Sequence, residues 1–384
     1  LNVSDKVIED AGDGDLWRHA RLRWLDSTIG LDDEVFPPYA PVAAAGKDLT
    51  ILSRAVRLAD TGLFSSITSS FTRNVDGIDG AAQELLAEPM RLVVQLDGGP
   101  PMTWQGDGPR IVTRAPGAVS WEAASTAGSL EFLCRAKLEC DGYVNFRLTL
   151  KSRQAARLGD VRLMMPLRRA LATYMMGLGR KGGYRPPQWQ WKWDATRSNN
   201  QLWIGEVNAG LSCKLKHTED RWDLFNLQES GLYEDWGNGG QGGCVVEEVG
   251  RDQVVIRAYT GPREVAAGQE LHFNFGLLIT PVKTLDKSHW QWRYFHRSTA
   301  APVAEATTTG ATVINLHQGD GLNPYINYPF LTTDKLASYV AEAHARQMKV
   351  KIYYTIRELS NYAAEFWALR SLGGEIYTTG PGFR

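Results

Sequence analysis

The sequence predicts a large antiparallel β-sandwich followed by the first βα units of an incomplete (β/α)8 barrel. Three observations predict it. From about residue 47 to 280, short runs with apolar residues at alternate positions recur between Gly, Pro and Asp turns. After residue 300 the pattern becomes strand, amphipathic helix, strand, helix, the order of a parallel α/β sheet. A complete barrel needs about 250 residues, roughly 31 per βα unit, whereas residues 310–384 supply 75.

The expected strands follow in order. Leu49–Leu58, Arg91–Leu96, Leu130–Leu138, Tyr143–Leu150, Asp160–Pro166, Gln201–Asn208, Gln253–Tyr259 and Glu270–Thr280 all carry strand patterning. In Tyr143–Leu150, Val144, Phe146, Leu148 and Leu150 share one face, and Phe273, Phe275 and Leu277 do so further on. Ala311–Leu316 is almost continuously apolar, as a strand covered on both faces requires. Thr332–Gln347 places Leu336, Tyr339, Val340 and Ala343 on one helical stripe, with Thr332 or Thr333 able to cap it and Asp334 in its first turn. Lys349–Thr355 is the next strand, and a helix over about Tyr362–Leu372 ends at Gly373. The boundaries expected are 1–46 as a segment packing on the sandwich, 47–283 as the sandwich, 284–309 as a linker and 310–384 as two barrel units. Thr378–Arg384 reads as a loop cut mid-course, so the rest of the barrel is expected beyond it.

Composition narrows the function. With 42 Lys+Arg against 43 Asp+Glu, the net charge of −1 excludes the basic excess of a nucleic-acid binder. At 43% hydrophobic and 22% charged, the chain is an ordinary globular one, not a disordered one. No run of about 18 apolar residues is present, so no membrane-spanning helix is expected. The chain starts at Leu1, and residues 1–16 lack the basic and apolar regions of a signal peptide. Cys134, Cys140, Cys213 and Cys244 have no metal-binding spacing and read as buried thiols, an inter-strand disulfide being the lesser alternative.

Several motifs invite chemistry. Gly177–Gly183 matches G-x-G-x-x-G, but Tyr184-Arg-Pro-Pro187 follows where a helix would have to open, so no dinucleotide site is expected. Eight of the 13 Trp lie between 189 and 292. Trp189, Trp191 and Trp193 share a strand face, either as core packing or, with Trp193 foremost, as a platform for sugar rings. The Gly-rich stretch Tyr233–Gly243 carries Asp235 and Asn238 among oxygen donors, weak candidates for a metal, without the spacing of an EF-hand.

Asn315–Phe330 is the most informative stretch. It lies just past a parallel strand, where barrels build their active sites. His317, Gln318, Asp320, Asn323, Tyr325 and Asn327 there suit a hydroxyl-rich ligand. Tyr354, Arg357 and Glu358 follow the next strand and reach the same end, Glu358 being a weak candidate for the catalytic carboxylate. The bland alternative is an Arg357–Glu358 pair that merely ties loops together, with His317 capping locally.

At these residues a family resemblance enters. GATVINLHQGDGLNPYINYPFLTTDKLASYVAEAHARQMKVKIYYTIRELSN resembles the opening of the barrel in bacterial glycoside hydrolases related to family 123. WKWDATRSNNQLWIGEVNAGLSCKLKH, LYEDWGNGGQGG and FNFGLLITPVK are similar to the sandwich of the same group, and the likeness covers about residues 13–384. The resemblance implies a sandwich ahead of a catalytic barrel, and hydrolysis assisted by the substrate's acetamido group through an adjacent Asp-Glu pair. No such pair occurs in residues 310–384; Asp32-Asp33, Glu234-Asp235 and Glu247-Glu248 all lie in the β region. The implied catalytic carboxylates are therefore expected beyond residue 384.

The expectation is the N-terminal portion of a glycan-degrading hydrolase, N-acetylhexosamine being one candidate sugar. Its partners would be an oligosaccharide or polysaccharide and the remainder of its own barrel, with no cofactor, and its location extracellular or periplasmic. The alternative is a non-catalytic carbohydrate-binding or structural sandwich. Leu58-Ala-Asp-Thr-Gly-Leu-Phe-Ser-Ser-Ile67 resembles the galactose-mutarotase-like supersandwich, which serves both enzymes and accessory domains.

Overall fold

In the computed structural model, which describes residues 5–7, 28, 31–193, 200–218, 233–355, 360 and 366–371, the alternating runs become strands. Tyr143–Ser152 buries Val144, Phe146, Leu148 and Leu150 on one face. The chain divides into two compact units, Asp32–Leu285 and Asp286–Arg384, the latter together with Leu1–Leu31. No helix among the described residues is long and apolar enough to cross a membrane.

The Asp32–Leu285 unit contains sheets of ten, six and five strands among the described residues, with every pairing antiparallel. The largest sheet centres on Ala118–Ala127, Leu130–Glu139 and Tyr143–Ser152. The six-stranded sheet centres on Ala156–Arg168, paired to Gln253–Tyr259 and Arg91–Leu96. All three sheets feed one hydrophobic core. At its centre Phe146 stacks on Phe275 at 4.7 Å and meets Phe64 and Trp121 edge-on at 5.3 and 5.9 Å. Aromatic pairs of this kind add about 0.5–1.5 kcal/mol each beyond the area they bury.

Two expected strands divide. Leu49–Leu58 is a hairpin, Asp48–Ile51 against Arg54–Leu58, with Ser53 at φ 54° in its turn. No Gly or Asn marks that turn, so the sequence reads straight through it. Glu270–Thr280 is broken into Glu270–His272 and Phe275–Thr280, both paired with Tyr143–Ser152. Of the expected N-terminal segment, Asp33 and Val42 bond to the turn at Pro116–Gly117, and Val35 and Tyr39 pack on the core.

Arg54 joins two sheets. Only 2% exposed, it donates from Nε to the Leu52 carbonyl at 3.0 Å, from Nη1 to Asp141 and Ile279 at 2.8 and 2.7 Å, and from Nη2 to Val282 at 2.8 Å. At the start of Phe64–Ser69, the Trp121 indole donates to the Gly62 carbonyl at 2.8 Å. Gly62 sits at φ +81°, and a Cβ there would come within 3.0 Å of Ala123 and Cys134, which accounts for the glycine in the Leu58–Ile67 motif.

The second unit holds β1 (Tyr294–Arg297), α1 (Val303–Thr308), β2 (Val313–Leu316), α2 (Thr333–Ala345), β3 (Lys349–Ile352) and α3 (Phe366–Ser371). The three strands are parallel in the order β1-β2-β3. Residues 294–308, expected as linker, thus supply a strand and a helix of the same sheet. Phe295, Ile314, Leu316, Val350 and Ile352 pack with Val303, Leu336, Tyr339 and Ala343 of the helices. Thr332 does not cap α2; its hydroxyl donates instead to the Leu322 carbonyl at 2.7 Å.

Two expectations follow. Arg54→Ala orphans four carbonyl oxygens and should cost about 2–4 kcal/mol, read as a lower urea midpoint with the slope unchanged. All four cysteines are free and buried, and burial raises each thiol, that of Cys244 to about 12. A thiol reagent should leave the native chain nearly unlabelled, reach Cys140 first, and count four thiols in denaturant.

Candidate functional site

Alternation along the three parallel strands sorts their residues into two faces. The register aligns Tyr294, Val313 and Lys349 in one row and His296, Asn315 and Lys351 in the next. These face away from the helix-covered side. The row continues past the strand ends into His317 and Tyr353, whose rings stack at 4.6 Å and 20°. The His296 ring stands edge-on to His317 at 5.7 Å, and Asn315 Nδ2 donates to His296 Nδ1 at 2.8 Å. His317 Nδ1 lies 3.2 Å from the Gln318 carbonyl oxygen, which only accepts, so in a neutral ring Nδ1 is the donor and Nε2 the acceptor.

Two side chains make the mouth rigid. Asp320 accepts from Leu322 and Asn323 N–H on Oδ1 at 2.7 and 2.9 Å, and from Ala300 N–H on Oδ2 at 2.9 Å. Its carboxylate is the only one in residues 313–330, and it is engaged in closing the loop. Asn327, at φ 56°, pairs its amide with the Thr355 backbone in both directions: it donates to the carbonyl and accepts from the N–H at 2.7 Å. The carboxamide thereby ties down the backbone past β3, while the Tyr353 N–H donates to the Leu316 carbonyl at 2.8 Å.

Three amides near this loop carry buried polar atoms without hydrogen-bond partners. They are Oδ1 of Asn315, Oε1 of Gln318 and both side-chain atoms of Asn323, the last only 1% exposed. A buried amide left unpaired costs roughly 1–3 kcal/mol, so these atoms mark places for water or for a polar ligand group. Of the sequence candidates, His317, Gln318, Asn323, Tyr325 and Asn327 fall in one loop at the C-terminal end of β2. Tyr354 is 71% exposed and falls opposite Tyr353 in the alternation. Arg357 and Glu358 lie outside the described residues.

Residues 42–281 match the glycoside hydrolase 123 third domain, and residues 286–384 match the glycoside hydrolase 123 TIM-barrel domain. The chain belongs to glycoside hydrolase family 123. The TIM-barrel match begins just before β1, which agrees with the strand and helix found between 294 and 308. No curated protein matches the sequence. Among solved structures, a galactose mutarotase related enzyme of Lactobacillus acidophilus is similar, at 6% identity and a TM-score of 0.35 over 64% of this chain and 98% of its own. An aldose epimerase homologue from C. elegans gives 7%, 0.33, 63% and 98% for the same quantities. Likenesses this loose carry no argument about activity.

The sandwich candidates have protein partners. Trp193 is 6% exposed, with its ring 4.8 Å from both Trp191 and Tyr233, so core packing takes the surface a sugar would stack on. Asp235 receives the His272 N–H at 2.7 Å and lies 3.3 Å from Arg263. Asn238 donates to the Thr260 and Pro262 carbonyls at 3.0 Å each. No cluster of three or more His, Cys, Asp or Glu suited to a metal occurs among the described residues.

The sequence reading passed over His296, Lys351 and Tyr353. Counting twos back from Tyr353 through Lys351 and Lys349 would have placed Tyr353, rather than Tyr354, on the inward face. For the mouth, Asp320→Ala strands three N–H groups and should lower the thermal midpoint of the barrel unit by several degrees, whereas Tyr354→Ala, exposed, should leave it within about a degree.

Proposed function

We propose that this chain is the sandwich and the opening of the barrel of a hydrolase that cleaves a glycosidic bond in a glycan, N-acetylhexosamine being the sugar the family resemblance favours. The observation that carries the reading is the inward row ending in the stacked His317–Tyr353 pair, at the strand ends where barrels do chemistry. His317 Nε2, Tyr353 and the orphaned amides of Gln318 and Asn323 offer a ligand both donors and acceptors. Asn327 acts as a positioning residue through the backbone that follows Tyr353, Tyr325 belongs to the rim of the sugar site, and Arg357 stays a candidate ligand from its place in the sequence alone.

The catalytic carboxylates are assigned elsewhere. Asp320 already accepts three backbone N–H bonds, so it is poorly placed to deliver a proton to a leaving oxygen. Glu358 remains the one nominee within the chain, and the stronger assignment is an acid pair on barrel strands beyond residue 384. Three parallel strands among the described residues, against the eight of a closed barrel, support that division. The glycan and the remaining strands are then the partners, and the chemistry calls for no cofactor.

In a protein carrying the whole barrel, His317→Ala and Tyr353→Ala should each lower kcat/KM on a 4-nitrophenyl N-acetylhexosaminide at least tenfold, with the urea midpoint little changed. Residues 1–384 alone should cleave none. Unchanged kcat/KM in both variants would sink the site, and a full-barrel protein inert on every aryl glycoside would sink the enzyme.

A further inference from the structure

The outer face of the six-stranded sheet carries a groove that the barrel chemistry does not use. Its volume is about 210 Å3, and Asp160, Arg162, Gln190, Val245, Arg257 and Tyr259 line it. Strand register builds it. Lys192, Gly243, Tyr259 and Arg162 stand in one row across four neighbouring strands, and Gln190, Val245 and Arg257 in the adjacent row. At about 4.8 Å per strand spacing, the first row runs about 14 Å across the sheet.

Each part is fixed from behind. Gly243 makes room for the Tyr259 ring, since a Cβ there would lie 2.8 Å from its hydroxyl and 2.4 Å from the Trp191 carbonyl. The Lys192 ammonium lies over that ring, 5.6 Å from its centroid. Asp160 Oδ1 accepts from Thr260 and Gly261 N–H at 3.2 and 2.9 Å, which leaves Oδ2 3.6 Å from Arg162 Nε. Arg162 is steadied by Gln95 at 3.0 Å, and its buried Nε has no hydrogen-bond partner. Arg257 is held by Glu247 at 3.0 Å. The charges therefore come largely in pairs, and the groove presents planar polar groups around one aromatic ring over an aliphatic floor.

We propose that this groove is a non-catalytic binding site for a neutral glycan chain, separate from the barrel mouth. Tyr259 supplies the ring on which the apolar face of a pyranose packs, and Asp160, Arg162 and Gln190 meet its hydroxyls. The volume falls below the about 300–1,000 Å3 of enclosed small-molecule pockets, which suits one or two rings of a chain running across an open sheet. A wider depression of about 520 Å3, at Ala155–Arg157 and Glu264–Ala266, offers no aromatic ring and carries no such chemistry.

The test is native affinity electrophoresis of the 384-residue chain in gels containing galactomannan, xylan, mixed-linkage β-glucan, arabinogalactan or polygalacturonate. At least one neutral polysaccharide should retard the chain. Tyr259→Ala should weaken that retardation fivefold or more, while Tyr259→Phe keeps it. Gln190 is exposed, so Gln190→Ala is a second variant that spares the fold, and it should weaken binding about threefold. Retardation by polygalacturonate alone, by none of the five, or equally in wild type and both alanine variants would overturn the proposal. Retention does not depend on whether a full-barrel protein cleaves an aryl glycoside, so the two readings fall separately.

Discussion

Arg54 carries a charge into a position 2% exposed and meets carbonyl oxygens there, from Leu52, Asp141, Ile279 and Val282. Burial lowers its pKa to about 10, against partial compensation from Asp141, Tyr39 and Cys140, so the group stays charged at neutral pH. Hydrogen bonds from a charged donor are worth about 1.5–3 kcal/mol each, and here they offset the desolvation. Arg54 opens its own strand in the five-stranded sheet, Ile279 belongs to a strand of the ten-stranded sheet, and Val282 lies just past that strand. One side chain thus sets the seating of a sheet and the backbone with which the sandwich unit ends. The aromatic cluster around Phe146 fills the space so defined, but packing alone is less directional than four hydrogen bonds from one planar group.

Where one face of a strand is buried and the other wet, the period of two could be read directly, as in Tyr143–Ser152. It failed where the signal is not periodic. The turn at Leu52–Ser53 lacks the usual turn residues, so two strands read as one. Tyr294–Arg297 has a single half-buried residue, Phe295, among exposed neighbours; only its parallel pairing with β2 reveals it as a strand. Backbone clamps were illegible for a different reason. Asn327 and Asp320 read as ligand-binding types because their side chains bond equally well to sugars or to backbone, and only three-dimensional placement distinguishes the two.

That ambiguity shapes the barrel unit. A loop rich in Gly, Asp and Asn after a parallel strand can be rigid only if its own side chains satisfy its backbone. Asp320, Asn327 and Thr332 do so, and the loop's single carboxylate is thereby committed to backbone N–H groups. What remains turned to that face is aromatic, amide and cationic in character: His296, Asn315, His317, Lys351 and Tyr353. Such a set supplies hydrogen-bonding and stacking groups but no free carboxylate among the described residues of the loop.

The tryptophan tract shows the same division within a single strand. Gln188–Lys192 and the residue after it alternate, with Trp191 and Trp193 buried while Gln190 and Lys192 face outward. Three same-face tryptophans look like a sugar platform on paper, yet a large ring on the core-facing side of a sheet is worth more as packing than as an exposed surface. The glycines that follow obey this arrangement. A Cβ at Gly242 would fall 1.9 Å from the Trp236 carbonyl, and one at Gly243 would strike the Trp191 carbonyl, so these two glycines answer to close backbone approach. By seating Trp191 below and leaving no side chain at Gly243 above, the strand pair opens the space that Tyr259 occupies. The aromatic ring offered to a glycan is then a tyrosine two strands away, on the face the tryptophans leave free.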